Sequence, residues 1–155
     1  MTTTPIPSSF LPILVHFNLT HPDAKLPSKQ HTDDAGYDLT SVEDVTVVPR
    51  GLPVAVSTGL SISSSDVQHH HLFKIESRSG LALKGISVLG GIVDSSYRGE
   101  IKVILVNHGP ESVVLPKGSR IAQLVVYPIV RMKPVATEVV TTTDRNSGGF
   151  GSTGV

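Results

Sequence analysis

Arg78, Ser79 and Gly80 stand together at the head of a run of helix formers, Leu81 to Lys84, in the stretch SRSGLALKG. A helix start offers unpaired backbone N–H groups and the positive end of the helix dipole, and a cation, a hydroxyl and a glycine beside it would hold a phosphate. The same spacing also describes an ordinary capped turn, with Ser79 as N-cap and Gly85 as the C′ glycine. Both readings fit the residues taken alone.

A second set lies in GGIVDSSYRGE, Gly90 to Glu100. Gly90 and Gly91 fall between two strand-like runs and suit a tight hairpin turn, whose exposed peptide groups would hydrogen-bond the edge of a base. Asp94 follows, a carboxylate able to accept a proton from water, and Tyr97 adds a flat amphipathic face. The plainer reading has Asp94 starting a turn and Tyr97 half-buried on a strand. In KGSRIAQLVV the alternation places Gln123 on one face with Ile121 and Val125, where an amide needs a partner, either backbone or ligand. HTDDAGYDLTS gathers Asp33, Asp34 and Asp38 around a glycine turn. Turn chemistry accounts for the first two, which leaves Asp38, followed by Leu39 in a strand-like context, as the candidate for a hard cation such as Mg²⁺. The chain closes on RNSGGFGSTGV, where one cation, Arg145, and one ring, Phe150, sit among small residues. Such a segment has too little apolar surface to order itself, so residues 145 to 155 are expected to form a mobile arm.

The elements that must position these groups are short. Runs rich in Val, Ile, Leu and Thr, punctuated by 14 glycines and 11 prolines, predict strands at 13 to 19, 45 to 48, 53 to 62, 71 to 77, 86 to 90, 100 to 108, 112 to 116, 120 to 130 and 135 to 142. The expected fold is all-β, a sandwich or barrel, with one helical turn at 81 to 84 that its surroundings must hold. No repeat or linker interrupts the pattern. Residues 1 to 155 therefore read as one domain, with mobile ends over the first ten and last ten residues.

The bulk numbers exclude several functions. A chain of 155 residues buries a core without staples. Its 13 basic and 13 acidic side chains cancel, so no overall field draws it to nucleic acid or an anionic membrane, and a polyanion must be met locally. Without cysteine there are no disulfides and no thiolate metal sites. His69, His70 and His71 are consecutive, and neighbouring strand residues point to opposite faces, so they cannot share one ion. HExxH, Walker-type and GxSxG patterns are absent. The stretch MTTTPIPSSF lacks the basic start and apolar run of a signal, and no segment approaches the ~20 apolar residues of a membrane span. The expectation is a soluble intracellular protein, cytoplasmic or nuclear.

Taken in order, DAGYDL, SRSGLALKG, GGIVDSSYRGE, GSRIAQL and RNSGGFGSTG resemble the five ordered motifs of the trimeric dUTP pyrophosphatases (deoxyuridine triphosphate nucleotidohydrolases), over the chain from Asp33 to Gly154. The resemblance implies a jelly-roll-like β fold and a homotrimer with active sites at its subunit interfaces. It implies Mg²⁺, and hydrolysis of dUTP to dUMP and pyrophosphate, which limits uracil in DNA and supplies dUMP for thymidylate synthesis. By the same resemblance Asp94 activates the attacking water, and Asp38 holds Mg²⁺ through water while substrate phosphates bind it directly. Tyr97 packs on the deoxyribose, and the backbone of Gly91, Ile92 and Val93 reads uracil. Arg78, Ser79, Gly80 and Gln123 contact phosphates. From the arm, Phe150 stacks on uracil, while Arg145, Gly151 and Ser152 grip the terminal phosphate. Two positions depart from the family pattern: Ser77 where proline is frequent, and Asn146 where glycine is. A dCTP deaminase-like enzyme of the same fold and a non-catalytic nucleotide-binding module are the alternative functions.

Overall fold

In the computed structural model, residues 13 to 65 and 70 to 138 are described. The strands are β1 (Val15–Leu19), β2 (Tyr37–Thr40), β3 (Val45–Val47), β4 (Val54–Ser65), β5 (His71–Glu76), β6 (Ile86–Leu89), β7 (Ile92–Asp94), β8 (Glu100–Asn107), β9 (Val113–Leu115) and β10 (Arg120–Pro128), with a single helical turn, α1 (Ser79–Ala82), after β5. They form one four-stranded sheet in the order β1-β4-β8-β6, a second in the order β2-β10-β5-β7, and a small β3-β9 pair. Every pairing is antiparallel. This is the expected all-β, jelly-roll-like architecture.

The period-2 pattern of the strands accounts for the core. In β8, EIKVILVN, the buried positions are Ile101, Val103, Leu105 and Asn107, while Lys102 and Ile104 face outward. Val56, Leu60 and Ile62 of β4 join one apolar cluster with Leu39, Phe73, Ile75, Val93, Ala122 and Leu124 of the second sheet. Each such side chain contributes about 1.5–3 kcal/mol on burial. Asn107 is buried without penalty, because its amide donates to the carbonyls of Val47 and Glu111 and accepts from the Gly109 N–H.

The structure departs from the sequence pattern in three places. β2 and β7 were not among the expected strands; each spans three or four residues and carries an aspartate, too short for alternation to register. Residues 135 to 138 are exposed and lie outside any strand, and the rest of that expected strand falls outside the described residues, as do the ends expected to be mobile. In β10 a register shift between Arg120 and Ala122 turns both Ile121 and Ala122 inward. Gln123 therefore shares its face with Val125 but not with Ile121, because a bulge breaks the alternation. Among the described residues no helix is long and apolar enough to cross a membrane.

Candidate functional site

The second sheet sorts the singled-out residues by register. Gln123 pairs with Asp38 on β2 and with Glu76 on β5, and directly opposed residues share a face. Four residues along β5, Leu72 pairs with Asp94 and with Tyr127 on that same outer face. One end of the face thus carries Asp38 and Gln123, the other Asp94.

At the first end, Asp38 is only 8% exposed, and a buried carboxylate requires partners. Its Oδ1 lies 3.0 Å from Arg78 Nε and its Oδ2 3.1 Å from Arg120 Nη1. The Arg78 contact is an ion pair by distance without the alignment of a hydrogen bond, since the buried Nε has no aligned acceptor. Arg78 Nη1 donates to the Arg120 carbonyl at 2.9 Å. Two guanidinium groups against one carboxylate leave a net positive charge at this corner, suited to a phosphate. A Cβ on Gly36 would press on the Gln123 side chain, whose amide would have to shift from this corner. The turn that delivers Arg120 is tied down on several sides: the Gly118 N–H donates to the Ser41 carbonyl at 2.8 Å and the Lys117 N–H to Asp44 at 2.7 Å. Lys117 Nζ lies 2.9 Å from Asp23, and this hydrogen bond, then the attraction of the two charges, lowers the Asp23 pKa and raises that of Lys117.

Ser79 is not the N-cap. Arg78 occupies that position with extended backbone (φ −84°, ψ 135°), and no side chain caps the turn. The Leu81 and Ala82 N–H groups both donate to the Arg78 carbonyl, so the Ser79 hydroxyl is left exposed with no capping role. Ser77 accepts a hydrogen bond from the Val88 N–H at 2.9 Å, tying the end of β5 to β6 at the position where the family often has proline.

At the second end, Gly90 (φ 66°) and Gly91 (φ 91°) make the tight turn their sequence suggests, but it is not a hairpin. β6 pairs with β8 and β7 with β5, so the turn carries the chain from one sheet to the other. Gly91 accepts from the Ile75 N–H at 2.7 Å, and a Cβ on Gly91 would lie 2.6 Å from the Ile75 carbonyl oxygen. β7 is an edge strand, so the Ile92 peptide groups, which alternate away from β5, face no strand. Asp94 is exposed, and its carbonyl accepts from the Tyr97 N–H at 3.0 Å. Tyr97 folds back over Gly99, its hydroxyl 3.2 Å from the Glu100 carbonyl, and Arg98 braces the turn by donating to the Ser95 and Tyr97 carbonyls at 2.8 and 3.0 Å. Gly91, Ile92, Val93, Asp94 and Tyr97 line one open cleft of about 530 Å³ with Lys102 and Ile104 of β8, a volume that admits a small ligand.

The two ends do not meet within one chain. Asp94 is four residues along the strand from the level of Gln123, about 13 Å at ~3.3 Å per residue, and two strand spacings of ~4.8 Å aside, a separation of roughly 16 Å. Asp38 lies one strand further. Arg145, Phe150, Gly151 and Ser152 lie outside the described residues. Arg120 and Gly36 lie inside GSRIAQL and DAGYDL, yet neither carries a signal of its role in the sequence, because each meets a side chain from another strand.

Fold and site together define a jelly-roll-like β protein with a cationic corner and a separate carboxylate-bearing cleft. The dUTPase family model matches residues 22–154, and the chain belongs to that family. It is 44% identical over 135 residues to the deoxyuridine 5′-triphosphate nucleotidohydrolase of Clostridium tetani, covering 85% of this chain and 90% of that protein. With the enzyme of the same name from Paramecium bursaria Chlorella virus 1 the identity is 47% over 133 residues, covering 85% and 92%. The structure of the Staphylococcus bacteriophage 80alpha dUTPase with dUPNHPP superposes with a TM-score of 0.81 at 26% identity, covering 92% of this chain and 99% of that one.

Proposed function

We infer that this chain hydrolyses dUTP to dUMP and pyrophosphate. The observation that carries the reading beyond family membership is the cleft that sets the exposed Asp94 carboxylate beside a glycine turn and Tyr97, on the same sheet face as the Asp38–Arg78–Arg120 corner. Water attacks the α-phosphorus as the bond to the bridging oxygen breaks. Asp94 accepts the proton released by that water. Arg78 and Gln123, with the exposed Ser79 and Gly80, meet the phosphate oxygens and stabilise the charge that passes to the leaving pyrophosphate. Ile92 offers unpaired edge-strand peptide groups to the uracil edge, held there by its neighbours Gly91 and Val93, which are paired with β5, and Tyr97 covers the sugar. Arg145, Phe150, Gly151 and Ser152 are proposed to close over the base and terminal phosphate.

The donor set bears on the metal. Among the described residues no three carboxylates or histidines cluster, and Asp38 already has both oxygens in ion pairs. That fits Mg²⁺ carried on the substrate's phosphates, with Asp38 reaching it through water, and does not fit a cation caged by protein alone. When bound there, Mg²⁺ supplies neutralisation of the phosphate charge.

A general base must lie within hydrogen-bond reach of the water it activates. The separation of roughly 16 Å within one chain is too long for that. This supports a homotrimer in which the phosphate corner of one subunit completes the Asp94 cleft of the next. Leu72, Ile92, Val125 and Tyr127 leave apolar surface on the face between the two ends, as a contact between copies would require.

Incubation with each nucleoside triphosphate, followed by chromatography, tests the activity: dUMP and pyrophosphate from dUTP support it, ammonia from dCTP or no product overturns it. Tyr97 acts mainly by excluding a 2′-hydroxyl, a repulsive element. Tyr97→Ala is expected to raise the ratio of UTP to dUTP turnover about tenfold or more, because one steric clash of this size carries roughly 1–3 kcal/mol of discrimination. An unchanged ratio places sugar selection elsewhere.

A further inference from the structure

We propose that Arg120 is a positioning residue of the phosphate corner: it occupies Oδ2 of Asp38 so that Asp38 and the Arg120 carbonyl together fix the Arg78 guanidinium, leaving Nη2 as its free donor for a phosphate. The inference rests on the phosphate-binding reading of Arg78. Three contacts carry it. Arg78 Nε lies 3.0 Å from Asp38 Oδ1, Arg120 Nη1 donates to Asp38 Oδ2 at 3.1 Å, and Arg78 Nη1 donates to the Arg120 carbonyl at 2.9 Å. A guanidinium held at two of its three nitrogens has lost its rotational freedom before a ligand arrives, and that is what converts a flexible arginine into a directional phosphate donor. The hydrogen bond that the guanidinium donates among the described residues comes from Nη1, not Nη2.

Asp38 depends on Arg120 in turn. Among the described residues its other hydrogen bond on Oδ2 is from the Gln30 amide at 3.5 Å, too long to fix a carboxylate. Without the Arg120 side chain, the acid is free to swing onto Arg78 with both oxygens, the bidentate geometry such pairs favour, and that would draw Nη2 away from the ligand. The Arg120 carbonyl survives any substitution there, so the effect isolates the side chain. Bulge and tethered turn fix where that side chain starts, since Arg120 sits at the register shift of β10 immediately after Ser119, whose N–H donates to Pro116.

Arg120→Ala is expected to lower kcat/KM for dUTP about tenfold, the order of loss that a misplacement of an ångström or less produces. Arg120→Lys, which restores the charge but not the planar fork, should recover only part of it. Affinity for a non-hydrolysable dUTP analogue should fall in parallel by calorimetry, while affinity for deoxyuridine, which has no phosphate, stays at the parent value. A readout independent of activity is the Arg78 Nε–H resonance in ¹⁵N-edited NMR, assigned by its loss in Arg78→Lys. It should exchange at least tenfold more slowly in Arg120→Ala than in the parent, since the carboxylate freed to swing onto Arg78 then gives the buried Nε the aligned acceptor it lacks. Unchanged exchange in Arg120→Ala, or deoxyuridine and analogue affinities that fall together, overturns the proposal. Absence of dUTP hydrolysis by the parent chain would instead overturn the functional reading, and the resonance would still decide the positioning role.

Discussion

Asp94→Asn is expected to fold, to bind a non-hydrolysable dUTP analogue with near-parent affinity, and to turn dUTP over at least about 10²-fold more slowly, as for loss of a positioned general base. The substitution keeps the volume and polarity of the side chain and removes only its ability to accept a full proton. Among the described residues the fold uses the Asp94 backbone, which pairs with Leu72 and accepts from the Tyr97 N–H, and the change leaves both untouched. Melting temperature should therefore stay within a degree or two, in the range of ordinary surface substitutions. Steady-state kcat, with calorimetry of the analogue beside it, separates chemistry from binding. A variant that turns over at close to the parent rate would show that Asp94 only shapes the turn.

That the carboxylate can be singled out at all reflects what a linear sequence encodes well. The alternation of β8 is strong because one face of it is packed on the core, and β4, β8 and β10 were legible from their apolar runs to within three residues at each end. β2 and β7 were not, since their pairing with β10 and β5 defines them more than their own composition does. The motifs were legible for a related reason: glycine at 91 is dictated by a neighbouring backbone atom, the Ile75 carbonyl oxygen, so the residue type is a fossil of the contact. The partner of that contact is not written beside it. Arg120 stood inside a quoted motif yet showed no role until Asp38 was placed 82 positions away in sequence and 3.1 Å away in space. Serine before a helical run has two uses, cap or exposed hydroxyl, and at Ser79 only the backbone of Arg78 distinguishes them.

Complementation between two inactive variants is expected to restore activity. Asp94→Asn removes the proposed base from the cleft and Arg78→Gln removes a proposed phosphate donor from the cationic corner; each variant alone should be nearly inactive. If one subunit supplies Asp94 and its neighbour supplies Arg78, then in trimers refolded from an equal mixture each site has one chance in two of an intact base and one in two of an intact arginine. About a quarter of the sites are then wild type, since a cyclic assembly repeats the same interface at each junction. A site contained in one chain gives the opposite result, because every chain in the mixture carries one lesion and no mixing ratio repairs it. The expected signal is thus a rise from near zero to roughly a quarter of parent turnover, with a maximum at equal proportions and a fall toward either pure variant. Sedimentation of each variant alone checks that both still assemble, so that a lack of recovery cannot be blamed on separated subunits. Mixed trimers that form and remain inactive would place Asp94 and Arg78 in the same subunit's site. The roughly 16 Å between the level of Asp94 and that of Gln123 would then have to be closed by movement within the chain, against the hydrogen-bonded register of β10, β5 and β7 that holds the two ends apart.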